Sequence, residues 1–355
     1  MIRRPPRSTQ SRSSAASDVY KRQILEEVSF CASPFPNDVP TATADIHALR
    51  AMLENSQKHV WVQPFSAASV EYLIELATVT AGDEETLRRR PLISLIACSL
   101  TPLEFKSMDL EVIFQGARRG IPLHACSLPS AGGTAPITMP SVVLLAAAEI
   151  VAMVAMVQLV RPGTAIVATP IIFTLDMRTG RSSQSSPEAM KGASLAIEFL
   201  KRAYGLPTHT YGSGSDSPDI DGQSMADRSL LGMLLAVAGA DILGGAGQIE
   251  VATTISPVQL VIDNEITGMI RRIVAEVKID EESIAWDDLL RTSIKGHFLD
   301  TDHTLRHCRD TFRAKTFTRQ TREIWTQQGE KDLIARATEI YRTLCEDIKP
   351  RELTE

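Results

Sequence analysis

The residues best suited to chemistry lie in one stretch, Leu206 to Glu250, where Tyr211 is followed by a loop carrying Asp216, Asp219, Asp221 and Gln223, and later by Gln248 and Glu250. Carboxylates beside an aromatic ring attract a cationic or polar small molecule. The competing reading is a solvated loop whose aspartate caps the next helix. Asp176 and Arg178, two positions apart, either brace their own loop as an ion pair or let the guanidinium clamp a substrate carboxylate. Gln248 and Glu250 close the run GGAGQIE, where glycines allow a ligand or a packed helix close to the backbone. The substrate-binding candidates are therefore Asp176, Arg178, Tyr211, Asp216, Asp221, Gln223, Gln248 and Glu250, with no residue singled out as catalytic. Phe65 and Phe173 are further aromatic candidates and read more simply as core.

A metal reading competes. His124 and Cys126 alternate, so they face the same way on a strand, and Cys98 on the preceding strand could join them around zinc. Cysteine on a strand is more often core, and no fourth ligand is evident. His303 and His307 are four apart but lack the intervening Glu of a metalloprotease helix. We expect no resident metal.

These residues need a scaffold that brings loops together. From Ile24 onward the sequence repeats a short apolar run, a loop with Pro, Ser, Gly or Asp, and an amphipathic helix. Strands are expected at Val28–Ser33, His59–Gln63, Leu92–Cys98, Pro122–Ser127, Ala165–Thr169, Pro207–Tyr211 and Asp241–Gly245. Helices are expected at Ala44–Ser56, Ala67–Ala81, Met108–Arg119, Met139–Val160, Pro187–Tyr204 and Met225–Ala240, with Gly82, Gly120, Gly163 and Gly205 ending four of them. Strands that meet only after a covering helix run parallel, and their loops emerge at the carboxyl end of the sheet. Seven such units suggest a (β/α)8 TIM-type barrel lacking its first strand. The expected division is a disordered, artefact-like segment at 1–23, barrel units over 24–256, and a helical extension over 257–355 packed on the barrel, in which Pro257–Val274, Ile279–Leu290 and Arg319–Glu346 read as helices. Residues 1–23 are Arg/Ser/Pro-rich and read like translated adaptor sequence joined to a truncated chain, with a transit peptide as the competing reading.

Composition bounds the function. The 355 residues, 44% apolar and 23% charged, suit a soluble globular protein of one large domain or two ordinary ones. A net charge of −6 without a basic stripe argues against nucleic acid. Ser141 to Val160 approaches the length of a membrane span, but Glu149 and Gln158 interrupt it and its alanines suit packing on a sheet, so no membrane role is expected. Five scattered cysteines fit a reducing cytoplasm. These features are compatible with a homo-oligomer.

The ordered pieces Gly132-Gly133-Thr134-Ala135-Pro136-Ile137-Thr138, Asp176-Met177-Arg178-Thr179-Gly180, Ser186-Pro187-Glu188, Tyr204-Gly205-Leu206-Pro207, Ser215-Asp216-Ser217, Val261-Ile262-Asp263-Asn264-Glu265, His297-Phe298-Leu299 and His303-Thr304-Leu305 resemble the trimethylamine methyltransferase family. Their order and spacing carry the resemblance, which runs from about Ser56 to Pro350. It implies a (β/α)8 barrel that moves a methyl group from a quaternary or tertiary amine, glycine betaine-like, to the cobalt of a corrinoid held by a partner protein, with no cofactor bound tightly to this chain. The trimethylamine branch of the family carries pyrrolysine, which this sequence lacks, so trimethylamine itself is disfavoured. Departures from the family pattern stand at Pro140-Ser141, Ala147, Pro218 and Asp227. They keep two alternatives open: a non-catalytic amine-binding or scaffold protein, and a zinc-dependent barrel methyltransferase.

Overall fold

The computed structural model describes residues 25–32, 36 and 38–346. The segment 1–23, expected to stay apart from the core, lies outside the described residues. Short β-prone runs alternate with amphipathic helices, and the chain forms β1 (Phe30–Ala32), α1 (Ala44–Asn55), β2 (His59–Val62), α2 (Ala67–Ala81), β3 (Ile93–Leu100), α3 (Ser107–Arg119), β4 (Leu123–Ser127) and α4 (Met139–Val160). It continues through β5 (Ile166–Pro170), α5 (Pro187–Tyr204), β6 (His209–Tyr211), α6 (Gly222–Val237), β7 (Ile242–Gly244) and α7 (Pro257–Val274). Each of these strands falls where the alternation predicts one.

All seven strands run parallel and neighbour one another in chain order. β1 to β5 form one ladder series, the bridge between Ala168 and Thr208 passes it to β6, and β6 pairs with β7. The sheet curls. The Phe30 ring of β1 lies 5.6 Å from that of His209 on β6, and the Trp61 ring of β2 lies 5.7 Å from it. Among the described residues no ladder joins β7 to β1, and a seam runs between them.

The alternation of strand side chains sorts two cores. Val60, Val62, Leu95, Ala97, Leu123 and Ala125 turn outward and pack with Leu73, Ile113, Ile150 and Met153 of the helices. Burying each large side chain there stabilises the fold by roughly 1.5–3 kcal/mol. The inward residues are Trp61, Ile96, Cys126 and Ile171, with Phe30, Cys98, Phe173 and Tyr211 against them. Phe173 thus takes the core position that the sequence favoured. Helix α4, long and apolar enough to cross a membrane, buries Val142, Ala146, Ile150, Met153 and Val157 against the sheet and its neighbours.

Two tail expectations need correction. Instead of one helix over Ile279–Leu290 there are two short ones, Glu281–Ile284 and Trp286–Arg291, broken where Ala285 adopts a left-handed φ of 52°. The helix expected over Arg319–Glu346 is likewise split into Arg322–Gln327 and α8 (Leu333–Glu346). Gly329, at φ 87°, ends the first piece, because glycine takes the left-handed conformation without a Cβ clash. The tail is pinned to α7 by Glu265, whose carboxylate accepts the Lys315, Thr316 and Phe317 amides.

Candidate functional site

A cavity of about 320 Å3 opens along the seam, between β1, β7 and α7. Its inner wall consists of Phe30, Trp61, His209, Tyr211 and Gln248. The ring of His209 stands against four others, those of Phe30, Trp61, Tyr211 and His124, the last with centroids 5.2 Å apart. His209 is 1% exposed, yet among the described residues neither ring nitrogen has a hydrogen-bond partner. The same holds for Trp61 Nε1 and Gln248 Oε1. Buried polar atoms are nearly always paired, so this cluster of unpaired ones on residues that line a cavity is unusual. Gly244 makes the ring's position feasible, since a Cβ there would stand 2.5 Å from His209 Nε2.

Burial also fixes the charge of this wall. It depresses His209 to about 4, and burial, with the neighbouring His209 and His59, depresses His124 to about 3, so both rings are neutral near pH 7. Burial raises the Tyr211 phenol well above its ordinary range, and that hydroxyl faces the Gln248 side chain. The wall is aromatic, polar and uncharged.

Around it, the strand-end loops are tied into one rim. Asp216 accepts from Ser183 Oγ and from the Gln184 and Ser185 amides at 3.0 and 3.2 Å. The Glu250 amide donates to Ser217 O at 2.8 Å, and the Glu250 carboxylate lies 3.9 Å from Arg181. Arg181 O in turn accepts from the Asp176 amide at 2.9 Å. The candidate residues therefore share one end of the sheet, but in different settings. Tyr211 and Gln248 line the cavity. Asp221 caps α6 through the Ser224 amide at 2.7 Å and accepts from Ser217 Oγ, and the Ser224 amide holds its carboxyl below the usual range. Gln223 is exposed on the first turn of α6. That helix begins at Gly222 rather than Met225 because the Asp221 cap starts it earlier. Asp176 accepts from the Arg178 amide and Thr179 Oγ1, contacts that lower its pKa, the Arg178 amide most. Arg178 itself extends into solvent, 90% exposed.

Two buried charged groups brace the rim from behind. On α4, Glu149 accepts from Ser99 Oγ, Thr101 Oγ1, Ser127 Oγ and the Leu103 amide at 2.5–2.9 Å. On α6, Arg228 has no exposed side-chain surface; it meets Asp263 of α7 at 2.7 Å and donates to Gln248 O at 2.8 Å and to Ser213 O. Asp263 also accepts from the Gly247 amide and Gln259 Nε2.

The zinc reading finds no support in this geometry. Cys98 and Cys126 are paired in register, but His124 turns to Thr169 Oγ1 at 3.3 Å, and burial pushes the Cys126 thiol up, away from the thiolate a metal needs. Among the described residues, no group of three or more His, Cys, Asp or Glu side chains is placed to hold a metal ion. Sequence reading missed Trp61, His209 and Arg228. The signal for the first two was present: His59-x-Trp61 and His209-x-Tyr211 alternate on their strands and must face inward together. Arg228 carries no such pattern.

The sequence model of the trimethylamine methyltransferase (MTTB) family matches residues 23–355. The chain belongs to this family. It is 31% identical over 320 residues to the trimethylamine methyltransferase MttB of Desulfitobacterium hafniense strain DCB-2, covering 90% of this chain and 64% of that protein. It is 26% identical over 295 residues to a glycine betaine methyltransferase of Desulfitobacterium hafniense strain Y51, covering 82% and 61%. The chain thus spans about three fifths of the length of these family members. The fold resembles the monomethylamine methyltransferase of Methanosarcina barkeri, with a TM-score of 0.54 at 14% identity, over 94% of this chain and 69% of that one.

Proposed function

We propose that the chain binds a tertiary or quaternary amine in the seam cavity and passes one of its methyl groups to the cobalt of a corrinoid carried by a separate protein. Glycine betaine is the model substrate. The observation that supports this most is the uncharged wall of Phe30, Trp61, His209, Tyr211 and Gln248 with four unpartnered polar atoms, joined to membership of an amine methyltransferase family. Aromatic faces attract an ammonium that has no N–H to donate. An amine that fills the cavity and displaces its water feels that attraction more strongly and is kept oriented for an in-line displacement.

In this reading Tyr211 and Gln248 contact the donor. Asp216, Asp221 and Glu250 keep the rim in shape, while Gln223, Asp176 and Arg178 lie on the outer surface that an approaching partner would meet. The corrinoid, when its carrier docks, supplies the nucleophilic metal; this chain's part is to bind, orient and exclude water. We read the strands as units of a (β/α)8 barrel whose remaining place is the seam, on the support of their unbroken parallel order. A cytoplasmic location fits the five scattered cysteines of the sequence.

The test is incubation of the protein with cob(I)alamin and a panel of glycine betaine, trimethylamine and tetramethylammonium. Appearance of the methylcobalamin spectrum supports transfer. Binding by calorimetry with no spectral change would favour the non-catalytic reading, and no binding of any amine would end the proposal.

A further inference from the structure

The buried pair of Arg228 and Asp263 touches neither the cavity nor solvent, yet the groups it holds outside its own two helices, Ser213 O, Gln248 O and the Gly247 amide, belong to the loops that carry the cavity's polar residues. Arg228 Nη2 donates to Gln248 O at 2.8 Å, and Nη1 donates to Ser213 O, just past Tyr211. Nε reaches Ser224 O at 3.0 Å and Nη2 reaches Ser224 Oγ at 3.1 Å, which anchors the guanidinium to its own helix. The partner carboxylate completes the clamp from α7. Asp263 Oδ2 accepts from Arg228 at 2.7 Å and from the Gly247 amide at 2.6 Å, and Oδ1 accepts from Gln259 Nε2 at 2.8 Å. One planar fork thus fixes the spacing between the loop after β6 and the loop after β7.

We propose that Arg228, with Asp263, is a positioning pair that sets Gln248 against Tyr211 in the cavity and so determines how well the amine is held. The inference rests on the amine site proposed above. A lysine at 228 would keep the charge but could not reach Ser213 O, Gln248 O, Ser224 and Asp263 together, because only a guanidinium presents a rigid array of donors. Charge pairing as such is a weak source of stability, since a buried ion pair can often be replaced by apolar side chains of similar volume with little loss. That separation of shape from stability makes the role testable. The charged neighbours turn elsewhere: Asp227 to Ser215 Oγ at 2.8 Å, and Glu265 to the 315–317 amides.

The experiment compares the wild-type chain with Arg228→Lys and with the double variant Arg228→Met/Asp263→Leu. The first readout is amide hydrogen exchange. In the double variant, amides of residues 213–217 and 246–250 should exchange at least tenfold faster, while those of α2, far from the pair, stay unchanged. The second is the affinity for glycine betaine and tetramethylammonium by calorimetry, expected to fall tenfold or more in the double variant and by an intermediate factor in Arg228→Lys, at a melting temperature close to wild type. Unchanged exchange in the two loops would overturn the clamp whatever the amines do. Faster exchange with unchanged affinity would overturn its role in the site. If the wild-type chain binds no amine at all, the proposed function falls, and the clamp is judged on exchange alone. Should the double variant not fold, Arg228→Lys carries the same two readouts.

Discussion

Glu149 and the Arg228–Asp263 pair do the same job on opposite sides of the rim, and they do it with different chemistry. Glu149 faces no cation among its hydrogen-bond partners; three hydroxyls and one amide saturate its carboxylate. Those donors come from the end of β3, the loop behind it and the end of β4, so that side of the sheet is sealed. On the other side a guanidinium and a carboxylate hold the β6 and β7 loops, and the cavity-lining residues Gln248, His209 and Trp61 keep buried polar atoms without a hydrogen-bond partner among the described residues. The comparison teaches where the site is. One brace consumes every polar group it touches, whereas the other holds backbone and leaves side chains available.

The largest expected effect breaks the sealed side. Glu149→Ala strands three buried hydroxyls and the Leu103 amide, and should cost roughly 3–5 kcal/mol in denaturant unfolding, with little recovered by any second change nearby. Arg228→Met alone should lose a comparable amount by leaving Asp263 buried and uncompensated, but adding Asp263→Leu should restore most of it, since apolar replacement of a whole buried pair is often neutral. A similar loss in the double variant would mean that the two braces are energetically alike. Within the cavity, Tyr211→Leu should weaken amine binding by about 0.5–2 kcal/mol through loss of the ring face, with a smaller effect from Tyr211→Phe.

The pH dependence sharpens the contrast further. His209 and His124 are depressed in the folded state, to about 4 and about 3, while the unfolded rings titrate near 6.5. The unfolded chain therefore binds more protons below that point, and stability should fall as pH drops from about 6.5, by up to about 1.4 kcal/mol per pH unit for each ring. Asp263 has the opposite sign. Burial lifts it to about 6 against the pull of Arg228, so its contribution is present at low pH and is lost as pH rises toward 6. His209→Phe should flatten the acid limb of a stability-against-pH curve, and Asp263→Asn should steepen it. The smallest effect belongs to the surface: Asp221→Ala removes the α6 cap and should cost about 1 kcal/mol of unfolding free energy, without changing amine affinity.

Most of the scaffold was legible because its signals are local. Strand runs of Ile, Val and Leu, and helix-ending glycines such as Gly120 and Gly205, declare themselves within a few residues. The rim was half legible. A loop of Ser, Asp and Gly announces hydrogen bonding, but not its direction, and Asp216 and Asp221 turned inward to amides that the sequence could not place beside them. Gln248 and Tyr211 were found because they flank strands. Arg228 was invisible for a physical reason. Its partners are the carbonyls of Ser213 and Gln248 and a carboxylate thirty-five positions away, and backbone carbonyls leave no mark in the residue types.

The missing side chain at 244 has one more implication. Its two hydrogens are all that separate the β7 backbone from the His209 imidazole, so a single added methyl at that position would act as a stopper. Gly244→Ala should swing the ring into the chamber and occlude it from within, yielding a protein whose outer shell is intact and whose interior is shut.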